Sequence, residues 1–256
     1  IKNVDSVFCL ITDESKKVTV VPWSPQSSKY DLSRIPAVQG SVFPALLAAN
    51  VTEDGRNELI TYHDGVIEIL EWINGKLEKR RALHSSCEPA FLDIDKDGTQ
   101  ELVLVDTNSD SSSVISLVSL VSEESALWRT SLPDPDRIGL PQPRHAYVRT
   151  GRFTGNEVPD VWIGIPLVRS LCLEGRTGRI LWEKGEMPQI QRFWGPSTNY
   201  AAAFDCNADG NDDLIFTNPD YFCVANGGSG DLLIGPLFPP DIFRQLSQGL
   251  YTFPVV

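Results

Sequence analysis

The chain has 256 residues, enough to bury a substantial core, with 41% hydrophobic residues and a formal net charge of −12 at pH 7. That acidity weighs against a nucleic-acid partner, because phosphate binding rests on Lys and Arg, and no apolar run within the chain is long enough to span a bilayer. Much of the charge sits in short Asp-rich loops, where bound cations would neutralise it.

Residues 1–38 carry no initiator Met and no basic-plus-apolar leader. They contain SVFCLITDESKKVTVV, which reads as the outer hairpin of a repeat whose beginning is missing, a partial blade. A first full unit spans 39–84. It holds an approach strand (QGSVFPALL), a polar loop (ANVTEDGRNELITY, 49–62) and a hairpin (IEILEWINGKLEKR) that turns at Asn74-Gly75. Glycine suits such turns because it tolerates positive φ. With position 1 of the loop set at Asn50, positions 3, 5, 6 and 9 are Thr52, Asp54, Gly55 and Glu58. Only two carboxylates remain there, which makes this the weaker cation loop.

The second unit, 85–140, carries LDIDKDGTQELVLV. Positions 1, 3 and 5 are Asp93, Asp95 and Asp97, with Gly98 at 6, Thr99 at 7 and Glu101 at 9. Calcium takes six to eight oxygens, and alternating side chains on a tightly curled loop can converge on it, with a backbone carbonyl added at position 7. A helical EF-hand would need a bidentate Glu at position 12. Leu104 stands there, and the exit ELVLVD is rich in β-formers, so the loop leads into a strand. The hairpin VISLVSLVSEESALWRT then turns at Glu123-Glu124 without glycine.

The third unit, 141–196, contains GRFTGNEVPDVWIGIP. It places Arg152, Thr154 and Asn156 at positions 1, 3 and 5 and Asp160 at 9, without glycine at 6. No metal is expected there, and the guanidinium is a candidate electrostatic substitute. Its hairpin, SLCLEGRTGRILWEK, turns at Thr177-Gly178. Two connections, PQPRHAYVR (141–149) and QIQRFWGPSTNY (189–200), carry Arg144, His145, Arg192 and Trp194 just before approach strands. An aromatic ring with guanidinium groups suits a sugar or a carboxylate; ordinary loop packing is the competing reading.

The fourth unit, 197–247, has FDCNADGNDDLIFT, with Asp205, Asn207, Asp209, Gly210, Asn211 and Asp213 at positions 1, 3, 5, 6, 7 and 9, and Phe216 at 12. Its hairpin FCVANGGSGDLLIG turns at Ser229-Gly230. Residues 248–256, QGLYTFPVV, echo the approach strand of the first unit and begin a further blade.

Four short strands in roughly 45–58 residues match the period of a propeller blade. The expected fold is all-β, a β-propeller of four-stranded antiparallel blades. Either the last strand completes the N-terminal partial blade in a ring of about five, or the chain is a segment of a larger propeller. The five cysteines (Cys9, Cys87, Cys172, Cys206, Cys223) are scattered singly, without the C-x-x-C of zinc or thioredoxin-like sites. Cys9, Cys172 and Cys223 sit in apolar runs and read as small buried hydrophobes, and a Cys206–Cys223 bridge stays open. His63, His84 and His145 are isolated, with no G-x-S-x-G nucleophile motif.

The pattern D-x-[DN]-x-D-G-x-x-[DE]-L at 93–102 and 205–214, together with WIGIP at 162–166, resembles the FG-GAP repeats of integrin-α-like and bacterial VCBS-type propellers. The resemblance spans about residues 40–256. It implies a propeller outside the cell, in a periplasm or at a cell surface. It implies calcium in two of the loops, with the first loop a possible third site. It also implies a non-catalytic adhesion or binding role toward a protein or carbohydrate. A second motif, LCLEGRTGRILW at 171–182, is similar to the tryptophan-docking repeat of quinoprotein propellers, with Glu174, Thr177, Gly178 and Trp182 in matching places. In that family the motif locks neighbouring blades together, and VANGGSGDLLI at 224–234 keeps its frame without the tryptophan. The competing functional classes are a polysaccharide lyase or hydrolase and a quinone-dependent dehydrogenase.

Overall fold

The computed structural model describes residues 7–12, 18–23, 45–63, 65–73, 76–107, 113–121, 126–132, 146–165, 169–184, 200–218 and 221–237. Among them no helix is long and apolar enough to cross a membrane, and the regular structure is all strand. The strands are β1 Val7–Thr12, β2 Val18–Trp23, β3 Ala45–Ala49, β4 Glu58–His63, β5 Val66–Ile73, β6 Lys76–His84, β7 Ala90–Leu92, β8 Glu101–Thr107 and β9 Ser113–Val118. They continue with β10 Ala126–Leu132, β11 Tyr147–Gly151, β12 Asp160–Ile165, β13 Arg169–Leu173, β14 Ile180–Lys184, β15 Tyr200–Phe204, β16 Asp213–Asn218, β17 Tyr221–Ala225 and β18 Leu232–Leu237.

β1 and β2 pair as a hairpin. The others form four antiparallel four-stranded sheets, β3-β4-β5-β6, β7-β8-β9-β10, β11-β12-β13-β14 and β15-β16-β17-β18. Each sheet is a simple meander, and β11, the first strand of the third sheet, lies against the first strands of both neighbours, β7 and β15. The chain is a β-propeller, and these sheets are four of its blades. Hydrogen bonds stitch the inner strands together: Thr150 Oγ1 donates to the Phe91 carbonyl at 3.0 Å, and Arg149 Nε to the Ala201 carbonyl at 2.6 Å.

Strand alternation gives each blade two faces. One face presents a cross-strand row toward the next blade: Leu47–Ile60–Ile69–Arg81, then Ala90–Val103–Leu117–Trp128, then Arg149–Trp162–Cys172–Trp182. These rows meet the apolar residues of the following blade in three buried clusters, one per seam. At the third seam, Trp162 meets Phe216 edge-on, with ring centroids 5.4 Å apart. Each fully buried side chain of this size stabilises the fold by roughly 1.5–3 kcal/mol. Cys172 and Cys223 lie in that same seam as free thiols, and Cys206 is free and exposed, so the bridge left open in the sequence is absent. Burial pushes the Cys87 and Cys223 thiols up to about 12, which keeps them protonated and unreactive at neutral pH.

Because antiparallel strands alternate in direction, the first-to-second and third-to-fourth connections share one end of every blade. The polar loops and the glycine turns therefore lie together. Arg144, His145, Arg192 and Trp194 lie outside the described residues. So do Asn74-Gly75, Glu123-Glu124 and the strand expected at 248–256.

Candidate metal centre

The four polar loops share one buried anchor. The position-9 acids Glu58, Glu101, Asp160 and Asp213 are 1%, 4%, 0% and 0% exposed, each at the start of a second strand. In three loops this carboxylate accepts the position-2 N–H: Val51 to Glu58 Oε2 at 2.9 Å, Ile94 to Glu101 Oε2 at 3.1 Å and Cys206 to Asp213 Oδ2 at 3.2 Å. In loop three the donor is Thr154 N, at 3.0 Å from Asp160 Oδ2. The position-9 carboxylate ties the loop's entry to its exit strand, and its second oxygen is taken as well in loop one, by Thr52 Oγ1, and in loop three, by Gly175 N.

Loops two and four then part company with the other two. In both, positions 4 and 6 are left-handed: Lys96 (φ 65°) with Gly98 (φ 88°), and Ala208 (φ 60°) with Gly210 (φ 89°). A non-glycine residue at positive φ is uncommon, so this double curl is imposed by the loop rather than chosen by residue type. The position-1 carboxylate holds it. Asp93 accepts Lys96 N at 2.6 Å and Gly98 N at 3.0 Å, and Asp205 accepts Asp209 N at 3.1 Å and Gly210 N at 2.9 Å. Asp95 accepts Asp97 N, and Asp97 and Asp209 accept the N–H of Thr99 and Asn211. The result brings carboxylate oxygens of Asp93, Asp95 and Asp97 within 4.8 Å of one another. In loop four Asn207 replaces the middle carboxylate and pairs with Asp209.

Loops one and three are closed on themselves. Each has threonine at position 3, and that hydroxyl reaches the position-9 acid directly: Thr52 Oγ1 to Glu58 Oε1 at 2.8 Å, Thr154 Oγ1 to Asp160 Oδ2 at 2.6 Å. Asn156 Nδ2 donates to Thr154 Oγ1 at 2.8 Å, which extends the hydrogen-bonded chain in loop three. Asp54 Oδ1 accepts Arg56 N at 2.8 Å. Asn50 Nδ2 donates to the Gly98 carbonyl of the next blade at 2.7 Å, and its Oδ1 is buried without a hydrogen-bond partner.

One oxygen in loop four is conspicuous. Asp213 Oδ1 is buried and makes no hydrogen bond, although the nearby Gly227 N–H still pulls the Asp213 pKa down. Burial dominates and raises that pKa, with Asp209 and Asp205 pushing in the same direction. A buried carboxylate oxygen without a partner is costly; the corresponding oxygen of blade three, Asp160 Oδ1, accepts Gly175 N at 3.4 Å.

Burial raises all four anchor acids above their ordinary values. For Asp160 the hydrogen bonds from Thr154 and Gly175 offset only part of this. A carboxyl whose folded pKa is raised favours the folded state while protonated, so stability falls as pH rises from the ordinary 3.8 through the raised value. In the absence of divalent ions, urea midpoints followed from about pH 4 to 7 should decline. Asp160→Asn should flatten part of that decline whatever it does to the absolute midpoint; an unchanged slope would show that Asp160 titrates normally.

The glycine turns at the same end supply the second contact between blades. Trp128 Nε1 donates to the Gly175 carbonyl at 2.8 Å, and Trp182 Nε1 to the Gly227 carbonyl at 2.7 Å. The turns they meet have Gly178 (φ 70°) and Gly230 (φ 72°) flat against the indoles, where a Cβ would come within 2.4 Å and 2.8 Å of the ring. The motif noted at 171–182 therefore works as a dock for the preceding blade's tryptophan.

No family model and no curated protein sequence matches the chain. Among solved structures, an Agrocybe aegerita lectin in a study of non-reducing terminal N-acetylglucosamine recognition is 16% identical, with a TM-score of 0.49 over 91% of this chain and 66% of the lectin. BamB from Moraxella catarrhalis is 11% identical, with a TM-score of 0.40 over 77% of this chain and 52% of that one. The quinohemoprotein alcohol dehydrogenase ADHIIG from Pseudomonas putida HK5 is 12% identical, with a TM-score of 0.43 over 92% of this chain and 41% of that one. The chain spans less than two thirds of the length of each.

Proposed function

We propose that the chain is a calcium-stabilised propeller that acts as a non-catalytic binding module, with ions in loops two and four. The observation that carries the calcium reading is the convergence of Asp93, Asp95 and Asp97, and the unpartnered Asp213 oxygen supports it in loop four. Donors that are all oxygen suit a hard cation, and a loop with several free ligand positions suits calcium better than the rigid octahedron of magnesium. The ligands would be Asp93, Asp95, Asp97, Glu101 and the Thr99 carbonyl, and Asp205, Asn207, Asp209, Asp213 and the Asn211 carbonyl. Loop one, with Thr52 bonded to Glu58, is the weakest of the three candidates.

Asp95, Asp97, Asn207 and Asp209 are exposed and the loops lie on the surface, so the sites suit the calcium concentrations found outside cells, where modules with dissociation constants of about 10⁻⁴–10⁻³ M operate. That favours an extracellular, periplasmic or cell-surface setting. We assign ligand contact, to a protein or a carbohydrate, to Arg144, His145, Arg192 and Trp194, on chemistry alone: a stacking ring beside guanidinium groups. Glycan and protein arrays probed with the wild type should give calcium-dependent binding, and Trp194→Ala should abolish it. Full binding by the variant would remove that surface from the reading.

A further inference from the structure

We propose that each calcium loop is aimed by the loop of the blade before it, with Arg152 supporting loop four and Asn50 supporting loop two. The inference rests on the calcium reading above. It starts from a contact that recurs between blades. The position-8 N–H donates to the position-1 carbonyl of the preceding loop: Asp212 N to Arg152 O at 3.0 Å, and Gln100 N to Asn50 O at 2.7 Å.

In a trans peptide the C=O and the following N–H point in opposite directions. Holding Asp212 N–H toward blade three therefore turns the Asn211 carbonyl away from it, and holding Gln100 N–H toward blade one does the same to Thr99. These are the position-7 carbonyls offered to the ion. A second bond makes each clamp rigid. Arg152 N donates to Asp212 Oδ2 at 2.7 Å, and Asn50 Nδ2 donates to the Gly98 carbonyl at 2.7 Å. The Asn211 side chain is held as well: its Oδ1 packs so closely on Gly155 that a Cβ there would lie 2.5 Å away.

Loop three supplies the natural contrast. Its position 8 is Pro159, which has no N–H to give, so loop two cannot aim the carbonyl of Val158 in this way. The loop that lacks the clamp is also the loop with Arg152 in place of a first carboxylate. Arg152 thus has a positive role: its backbone, not its charge, serves the neighbouring site.

Asp212 and Asn50 are positioning residues in this scheme, and both can be tested in the 256-residue chain. Asp212→Ala should weaken calcium at loop four by about 10–100-fold, the usual effect of losing an outer support, and leave loop two unchanged. Asn50→Ala should do the converse. Calorimetric titration in backgrounds where the other loop is silenced, by Asp95→Ala or by Asp209→Ala, assigns each site. Europium luminescence lifetimes in H₂O and D₂O supply a readout that general loosening would not give: about one additional bound water at the affected site only, in place of the misdirected carbonyl. If the wild type binds no calcium, the metal reading itself fails. If it binds two ions and the variants keep both affinities and both water counts, or weaken both sites alike, the aiming role is wrong.

Discussion

Replacing Trp128 by alanine is expected to cost the fold about 3–5 kcal/mol, the range for removing a buried aromatic, out of a total that is typically about 5–15 kcal/mol. The indole is 8% exposed and fills the seam between the second and third blades together with Leu117, Val148 and Leu173. Truncation would lose that packing and leave the Gly175 carbonyl without its donor. Trp128→Phe should cost less, because it retains most of the ring and loses the hydrogen bond. Gly178→Ala attacks the same dock from the other side, since φ is +70° and the new methyl would meet the indole. The Gly178→Ala penalty should shrink in the Trp128→Ala background, where that collision is gone. Urea unfolding of the four combinations gives the coupling directly. A loss below about 1 kcal/mol for Trp128→Ala, in the range of an ordinary surface substitution, would mean the seam does not depend on the dock.

Calcium should raise the melting temperature, by roughly 5–10 °C per occupied site when the free ion is about a hundred times its dissociation constant. That follows from a linkage stabilisation of about 2.7 kcal/mol per site and a shift of roughly 2–4 °C per kcal/mol for a chain of this size. Asp95→Ala combined with Asp209→Ala should remove most of the increment while changing the calcium-free melting temperature little, because both side chains are exposed. Magnesium at the same concentration should substitute poorly. Calorimetric scans with calcium, magnesium and EDTA read all three outcomes. A calcium increment that survives in the double variant would place the ions elsewhere.

The repeating unit was legible in the sequence because each of its parts is local. Asp, Asn and Gly curl the loop, β-branched residues follow, and a small residue with glycine turns the last hairpin. Loop three was set apart in the sequence by Arg152 and its missing glycine; in the structure Thr154 bonds its position-9 acid, and the same residue type at position 3, Thr52, does so in loop one. The left-handed Lys96 and Ala208 gave no sign of themselves, since neither residue type asks for that conformation. The anchoring role of position 9 was hidden for a different reason: a carboxylate that holds backbone looks, in a pattern, like one offered to a metal. Least legible was position 8. Gln100, Pro159 and Asp212 share no chemistry, and what matters is whether the backbone nitrogen carries a hydrogen for a loop some 50–60 residues earlier in the chain.

The tryptophan docks also set an order of events during synthesis. Trp128 is sheltered by a carbonyl that comes 47 residues later, and Trp182 by one that comes 45 residues later. At typical translation rates of about 5–20 residues per second, each indole waits roughly 2–10 s for its dock to be made. Until its successor is made, the mainly apolar leading row of the second or third blade, with its tryptophan, stays uncovered, and the next blade conceals it. In the fourth blade that row is Ala202–Ile215–Val224–Ile234, with Ile234 in the place of the tryptophan. A holdase that recognised this one moving surface could escort the whole propeller.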